Sequence, residues 1–513
     1  MEFFIFEPIK AKTMNISTKL IIPTLLVAFF MACAPNQKEQ PKTDIYKAEW
    51  ESLQQHKTPE WFLDAKFGIY CHWGPYSVPA HKTEWYSHYM YVKDHPIQKH
   101  HTETYGPLNE FGYKDFIPMF TAENFNADEW AELFKKAGAQ FAGPVTEHAD
   151  GFAMWDSKIT QWNAADMGPK RDVVGELAKA IRKQDMKFIA TFHHQWNFGW
   201  YSTWDETTDA SNPDYEQLYG PKLPGPEAFE FPEQDSLKFV PDEKFVNFWY
   251  DKIIEVMHNY EPDLIYFDNK LVIIPEEKRK EFLSYYYNFA HKKDQEVVCT
   301  YKFEEFAKGS AVLDLERSRM AEKKEFPWLT DDSIDWGSWC HVSNPDYKST
   351  NRLIDFLVDV VSKNGGVLLN VTPTAQGEIP QPVQERLLEM GQWLKVNGEA
   401  IYGTRPWKVY GEGPAEVIEG HLSERQNADN TEEDIRFTQK DGHLYALLLD
   451  IPTKDIEIRS IGLAAGLLNK KIKNIEILGS TEKVNWEMKD DFLKIVKPNQ
   501  PTSNHCVVFK III

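Results

Sequence analysis

The chain has 513 residues, 42% hydrophobic and 26% charged, which is an ordinary globular composition in a chain too long for a single core. Its 57 basic and 78 acidic residues give a formal charge of −21, which argues against nucleic acid or an anionic membrane surface as the main partner. Aromatic residues make up 14%, including 17 tryptophans, a content that suits large cores and also sites where rings cover apolar sugar faces.

The N-terminus has the pattern of a signal peptide. The apolar stretch Leu20–Phe30 is too short to span a bilayer as a mature helix, and it ends three residues before Cys33. The pattern resembles a bacterial lipoprotein signal with Cys33 as the acylated residue, and secretion without a lipid is the alternative. We therefore expect a signal peptide at 1–33 and a flexible linker at 34–45. The protein is expected to be exported to the periplasm or cell surface, with a membrane contact only through the lipid.

From residue 46 onward, short apolar runs alternate with stretches whose apolar residues recur at helical spacing. The runs predicted as strands are Phe67–Cys71, Phe141–Val145, Lys187–Phe192, Leu264–Phe267, Glu296–Tyr301, Val312–Leu315 and Gly366–Val371. The predicted helices are Ala127–Ala137 (with Asn126 as N-cap), Val173–Lys183, Asp242–Tyr260, Pro275–His291 and Leu353–Lys363. Repeated strand–helix units over 46–406 predict an α/β fold, a (β/α)8-like barrel that carries the catalytic domain. No G-x-G-x-x-G motif follows a strand, which counts against dinucleotide binding.

The pattern changes near residue 407. Short apolar runs such as Leu444–Leu449 and Cys506–Ile511 are separated by polar turns, and no long helical pattern interrupts them. We therefore expect a C-terminal antiparallel β-sandwich domain at 407–513.

Histidine or acidic residues follow five of the predicted strands, directly or, after Val145, with Thr146 between. They are His72, Glu147 with His148, His193 with His194, Asp268, and Glu316. Because catalytic groups of barrel enzymes sit where the strands end, these side chains are expected to converge on one face. Two carboxylates on different strands fit glycoside hydrolysis, in which one attacks the anomeric carbon and the other transfers protons. Histidines and tryptophans would then hold hydroxyls and cover the sugar.

A metal hydrolase is the rival interpretation. His72, His148, His193 and His194 are possible ligands, but no H-x-x-x-H or H-x-H pair occurs among them. The five cysteines lie far apart and have no metal-like spacing. We therefore expect neither a metal nor another cofactor.

Several segments resemble the α-L-fucosidases, glycoside hydrolase family 29. Phe67–Ala80 with Glu84–Tyr86 resembles the first-strand signature of that family, and Glu147–Phe152 with Trp155–Ser157 is similar to its second-strand motif. Further matching blocks are Phe326–Trp328, Ser338–Cys340, Leu357–Gly365, Leu368–Val371 and Ala400–Gly403. The resemblance covers residues 46 to 410, and the blocks occur in family order.

The resemblance implies a retaining exo-α-L-fucosidase that hydrolyses terminal α-L-fucosyl linkages through a covalent fucosyl-enzyme, with a fucosylated oligosaccharide or glycoconjugate as substrate. Asp268 matches the catalytic nucleophile of the family. Glu316 is the expected acid/base, with Glu322 as the fallback. The expected substrate-binding residues are His72, Glu84, Trp85, Glu147, His148, His193, His194 and Tyr266.

Two departures from the family pattern leave the sugar open. Ala149 stands where the family usually has a second histidine, and Asn269 stands where glycine is common. A missing hydrogen bond loosens selection among similar sugars, so a retaining glycosidase for α-L-galactosides is one alternative. A non-catalytic glycan-binding lipoprotein is another, although a binder needs neither Asp268 nor Glu316.

Overall fold

The computed structural model describes residues 42–226 and 239–513. The predicted signal peptide, with Cys33, lies outside the described residues, and so does most of the linker. Within the described ranges, no helix combines the length and the apolar character needed to cross a membrane.

Eight parallel strands pair in chain order and close into a barrel. They are β1 (Phe67–Cys71), β2 (Phe141–Glu147), β3 (Lys187–Phe192), β4 (Leu264–Phe267), β5 (Val298–Lys302), β6 (Val312–Glu316), β7 (Trp328–Ser333) and β8 (Gly365–Val371). The ring closes where β1 pairs with β8, with Phe67 beside Val367. Most of these strands are buried along their whole length, as expected when both faces of a parallel sheet are covered. The predicted barrel is confirmed.

Helices surround much of the barrel. They are α1 (Trp50–Leu53), α2 (Glu60–Ala65), α3 (Tyr86–Tyr89), α4 (Pro96–Tyr105), α5 (Ala127–Lys136), α6 (Val173–Lys183), α7 (Glu216–Tyr219), α8 (Glu243–Tyr260), α9 (Glu276–Lys292), α10 (Thr350–Ser362) and α11 (Gln381–Asn397). The predicted N-cap Asn126 accepts the backbone N–H groups of Asp128 and Glu129 at 3.1 and 3.3 Å, which satisfies two free donors at the start of α5.

The ring of helices has a gap over β5, β6 and β7. The connections 303–311 and 317–327, both fully described, contain no α-helix. In place of a helix, hydrogen bonds from other parts of the chain reach these two connections. From the N-terminal side, Gln54 Nε2 donates to the Lys308 carbonyl at 2.9 Å. From the C-terminal side, Ser423 Oγ lies 3.2 Å from Ser318 Oγ.

The C-terminal domain consists of two antiparallel sheets, as predicted. Its strands are β9 (Arg405–Glu412), β10 (Ile435–Lys440), β11 (His443–Leu448), β12 (Ile456–Ile458), β13 (Asn474–Ile477), β14 (Trp486–Met488), β15 (Leu493–Ile495) and β16 (Val507–Ile512). One sheet has the order β13-β16-β11-β10-β9 and the other has the order β12-β15-β14. The first strand begins two residues before the expected boundary at 407.

Buried charges join this domain to the barrel. Asp359 of α10 accepts Arg436 Nε from β10 at 2.5 Å and Lys363 Nζ at 2.8 Å. Arg319 Nη1 lies 3.5 Å from the same carboxylate. The three cations outweigh the effect of burial and hold the pKa of Asp359 well below its ordinary value.

Candidate active site

A cavity of about 520 Å³ opens where the strands of the barrel end. Five predicted site residues line it after β1, β2, β3, β4 and at the end of β6: His72, His148, His193, Asp268 and Glu316. The structure therefore brings them together at the carboxyl end of the barrel, where barrel enzymes place catalytic groups.

Backbone contacts fix the position of Asp268. Its N–H donates to the Phe192 carbonyl of β3 at 3.1 Å, which continues the strand pairing past the end of β4. The side-chain amide of Gln195 donates to the carbonyls of Asp268 and Asn269 at 2.7 and 2.8 Å. The carboxyl group of Asp268 thus lies on a turn that hydrogen bonds from the end of β3 and from Gln195 hold in place.

Opposing effects set the pKa of Asp268 to about 6. Burial raises it, and the negative charge of Asp331 adds to that effect. The positive charge of Lys302, the N–H of Asn269 and the indole of Trp196 lower it. Asp268 is therefore ionised above about pH 6 although it is buried.

Lys302, at the end of β5, lies at the centre of a buried charge cluster. Its Nζ donates to Asp314 at 2.6 Å and to Asp331 at 2.7 Å, and it lies 3.8 Å from Glu316 Oε2. Tyr70 OH donates to the second oxygen of Asp331 at 2.7 Å. This cluster was not predicted from the sequence: Lys302 directly follows the predicted strand Glu296–Tyr301, but only histidine and acidic residues after strands were considered.

Glu316 holds its proton more tightly than Asp268 does. Burial raises its pKa to about 8, helped by the negative charges of Asp268 and Asp331, while Lys302 and Arg317 lower it. At pH 7, of these two carboxyl groups, Asp268 is therefore ionised and Glu316 is protonated. Two carboxyl groups whose environments push their pKa values apart indicate separate acid and nucleophile roles.

The fallback residue, Glu322, lies elsewhere. It is exposed in the connection between β6 and β7 and does not line the cavity. Its charge acts instead on Tyr410 of β9, where it raises the pKa of the phenol along with burial. Of the two glutamates, only Glu316 lines the cavity that contains Asp268.

Three buried histidines form a cluster beside the carboxyl groups. Ring nitrogens of His72, His148 and His193 lie within 4.8 Å of one another. His72 Nδ1 pairs with Asn370 Oδ1 at 2.9 Å, while Nδ1 of the other two rings has no hydrogen-bond partner among the described residues. Burial lowers the pKa of His72 to about 4 and lowers those of His148 and His193 well below their ordinary value, so all three rings are neutral at pH 7.

Neutral imidazoles can donate to or accept from sugar hydroxyls, and a trio of them can also bind a metal ion. In the sequence, the missing H-x-x-x-H and H-x-H spacings counted against metal binding, which was the rival interpretation. That reasoning could not detect a cluster whose members come from three different strands.

Glu84 and Trp85 lie where the resemblance places them, at the wall of the cavity. Glu84 Oε2 accepts the Trp339 backbone N–H at 2.9 Å. The Trp85 ring packs against Trp196 and Trp200, with centroids 5.5 and 4.7 Å apart. The cavity thus has an aromatic wall of the kind that covers apolar sugar faces.

Three expected binding residues do not line the cavity. Glu147 forms a buried ion pair with Lys252 of α8 at 2.6 Å, and His194 Nε2 pairs with the Trp249 carbonyl of the same helix at 3.0 Å. Glu147 and His194 therefore contact α8 outside the barrel, whereas their neighbours His148 and His193 line the cavity. Tyr266 packs inside the barrel, where its ring lies 6.0 Å from that of Tyr70.

Comparison with known proteins agrees with this geometry. A model of the alpha-L-fucosidase family matches residues 32–399, and a model of the alpha-L-fucosidase C-terminal domain matches 426–512. The chain belongs to the alpha-L-fucosidase family. It is an alpha-L-fucosidase of glycoside hydrolase family 29, as the resemblance implied, and so it is an enzyme.

Relatives of this fucosidase cover nearly the whole chain. Tissue alpha-L-fucosidase of Homo sapiens is 31% identical over 500 residues, which is 93% of each chain. That of Rattus norvegicus is 31% identical over 455 residues, 86% of each chain. The crystal structure of Thermotoga maritima alpha-fucosidase in complex with fucose is 30% identical, with a TM-score of 0.71, and covers 91% of this chain and 100% of that one.

One part of the fucosidase cavity comes from outside the barrel. His421, Leu422, Glu424 and Arg425 also line it, and they belong to the connection between β9 and β10. These four residues lie between the two ranges that the family models match. Nothing in the sequence pattern associates these residues with the strand ends.

Proposed function

We propose that this fucosidase is a retaining exo-enzyme that hydrolyses terminal α-L-fucosyl linkages through a covalent intermediate on Asp268. The observation that carries the proposal is the pairing, in one cavity, of a carboxyl group with a pKa of about 6 and another with a pKa of about 8. The first is available as a nucleophile at the pH at which the second still holds a proton.

The reaction then takes two steps. The Asp268 carboxylate attacks the anomeric carbon while Glu316 gives its proton to the glycosidic oxygen, and the leaving group departs as an alcohol. In the second step the Glu316 carboxylate takes a proton from water as the water oxygen attacks the same carbon. Fucose is released and Asp268 is free again. A structure of the Thermotoga maritima relative with a mechanism-based inhibitor, 30% identical with a TM-score of 0.72, supports a covalent route.

Trapping tests the nucleophile. Incubation with 2-fluoro-fucosyl fluoride should add one sugar to the peptide that contains Asp268, detected by mass spectrometry, and Asp268→Asn should acquire none. Proton NMR of the first product should show α-fucose before mutarotation. If β-fucose forms first, the enzyme is inverting and the proposal is wrong.

Azide rescue tests the acid/base, and the chain offers a matched control. Glu316→Gln should slow hydrolysis most for substrates with poor leaving groups, and azide should restore turnover of activated substrates by replacing water. Glu322→Gln should behave as the wild type does. Rescue of the Glu322 variant instead would move the assignment to that residue.

The choice of sugar is tested with 4-nitrophenyl glycosides. We expect turnover of the α-L-fucoside, with a higher kcat/KM than for the α-L-galactoside, which has one more hydroxyl at C6. Preference for the galactoside would support the alternative sugar, in agreement with the missing histidine at Ala149. Binding without turnover of either substrate would favour a glycan-binding protein.

Metal-dependent hydrolysis is the second candidate, favoured by the buried ring nitrogens of His72, His148 and His193 within 4.8 Å of one another. Dialysis against EDTA separates the two. Activity that survives chelation is expected if these rings hold sugar hydroxyls. Loss of activity that Zn²⁺ restores would support the metal.

We further propose export as a lipoprotein acylated on Cys33, held in the periplasm or at the cell surface. The apolar run before this cysteine supports the proposal. Labelled palmitate should be incorporated by the wild type and not by Cys33→Ser. Incorporation by both would contradict lipid attachment at this residue.

A further inference from the structure

The segment 418–425, here called the rim loop, extends from the C-terminal domain to the candidate acid/base. The Leu422 backbone N–H donates to the Glu316 carbonyl at 3.0 Å, and the Glu424 N–H donates to the Arg317 carbonyl at 2.8 Å. His421, Leu422 and Arg425 line the same cavity as Asp268 and Glu316. The rim loop is therefore directly beside the group that protonates the glycosidic oxygen.

A buried anchor holds the rim loop in place. The carboxylate of Glu424, 1% exposed, accepts two bonds from Arg319 at 3.0 Å each and one from Arg352 at 2.6 Å. Ser423 Oγ donates to the Ile418 carbonyl at 2.7 Å. Bidentate arginine–carboxylate pairing fixes orientation as well as distance, so the rim loop presents a preformed surface.

Aromatic rings continue from the rim loop to a second cavity. The ring of Phe303, which is 41% exposed, lies 5.4 Å from that of His421. Phe303 also lines a cavity of about 610 Å³ in the gap of the helix ring, together with Trp50 and Phe326. Charged groups of Glu304 and Lys308 line the same cavity, so hydrogen-bonding groups accompany the rings, as a sugar site requires.

We infer that the rim loop binds the leaving group and that this leaving group is an oligosaccharide of two or more sugars. The first sugar packs on His421 and Leu422 beside Glu316, and later sugars cross Phe303 toward the second cavity. The inference rests on the proposed function, because a proton donor acts on the oxygen that joins fucose to the leaving group. Since the rim loop lies between the two matched family ranges, selection of the leaving group is assigned to a part of the chain that those models do not include.

Substrates of increasing length test the inference. They are 4-nitrophenyl α-L-fucoside, a fucosylated disaccharide and a fucosylated tetrasaccharide with the same terminal linkage. For the wild type, kcat/KM should increase from the disaccharide to the tetrasaccharide. His421→Ala should lower kcat/KM on both natural substrates about tenfold more than on the aryl fucoside, the loss of roughly one good ring contact. Phe303→Ala should abolish the gain from the disaccharide to the tetrasaccharide.

Tyr285→Ala is the matched control, because Tyr285 is 40% exposed and lines neither of these two cavities. It should leave all three kcat/KM values unchanged, and unchanged Tm values of the variants would exclude unfolding as a cause. Equal losses on all three substrates in His421→Ala, or no length dependence in the wild type, would overturn the inference. Failure of the wild type to turn over the aryl fucoside would instead overturn the proposed function.

Discussion

Asp268 and Glu316 share one cavity and are both buried, yet their pKa values differ because their neighbours differ. The charge of Lys302, the Asn269 N–H and the Trp196 indole lower the pKa of Asp268 against the effect of burial. Glu316 lies close to the negative charges of Asp268 and Asp331, which strengthen the effect of burial. Because of this difference in pKa, the two residues together hold one proton at neutral pH, and Glu316 carries it.

The first prediction concerns the pH dependence of kcat/KM. In the proposed mechanism Asp268 must be ionised and Glu316 protonated, so kcat/KM should rise through a pKa of about 6 and fall through a pKa of about 8. Because the two groups interact, the two apparent values belong to the pair. With 4-nitrophenyl α-L-fucoside, Glu316→Gln should lose the alkaline limb. An alkaline limb that persists in this variant would show that another group is the acid.

The second prediction concerns Lys302→Met. Since the cation lowers the pKa values of both Asp268 and Glu316, its removal should move the acid and alkaline limbs of kcat/KM to higher pH. The variant should also lose about 3–5 kcal/mol of unfolding free energy, because Asp314 and Asp331 would remain buried without their partner. Urea unfolding and the pH profile measure the two effects.

Lys252→Met is the matched control, because it removes a cation from the buried pair with Glu147 outside the cavity. It should lose similar stability without a shift of the acid limb. A similar shift in both variants would contradict a specific role for Lys302.

At the level of elements, much of the cavity could be located from the residues that follow the predicted strands. The prediction failed for residues whose side chains point away from the cavity. It found the positions of His72, His148 and His193, while their roles stay predictions. The sequence does not show which of two adjacent residues at a strand end faces the cavity. For this reason Glu147 and His194 were expected to bind the substrate along with their neighbours His148 and His193.

The strand β7 was not predicted at all. Its residues Thr330 to Ser333 are polar and yet buried. Asp331 pairs with Lys302, and Asp332 pairs with Lys348. A strand stabilised by ion pairs inside a barrel has no apolar run for a sequence analysis to detect.

The third prediction concerns the anchor of the rim loop. Glu424→Ala should leave Arg319 and Arg352 buried without their carboxylate and cost about 3–5 kcal/mol of unfolding free energy. Hydrogen–deuterium exchange should increase in 418–425 more than in the barrel strands. Glu433→Ala, which removes an exposed pair with Lys454, should cost at most about 1 kcal/mol. Equal costs would mean that the buried anchor contributes no more than a surface pair.

For the whole molecule, the two-domain architecture followed from the sequence, whereas the way in which the domains meet did not. The change in the spacing of apolar residues was enough to separate the helical part from the β-rich part near residue 407. The contacts of Arg436 with Asp359 and of Glu424 with Arg319 join residues far apart in the chain. No local pattern marks such pairs, so the contribution of the second domain to the cavity could not be predicted.

The fourth prediction is that barrel and C-terminal domain unfold together. Calorimetry should show one transition, because separating the domains would expose the buried Arg436–Asp359 pair and the bond from Trp393 Nε1 to the Cys506 carbonyl, 2.8 Å long. Arg436→Met should lower the Tm of that single transition by several degrees. Two transitions in the wild type would show that the domains are independent.

The gap in the helix ring has a consequence for the order in which the protein folds. The barrel closes through Phe67 beside Val367, 300 positions apart, and the connections after β5 and β6 are covered by α1 and by the rim loop. A chain made from its N-terminus therefore cannot cover the connection after β6 until the rim loop, near the start of the second domain, has been synthesised. A chain that ends before residue 418 would leave this connection without its cover and open to proteolysis.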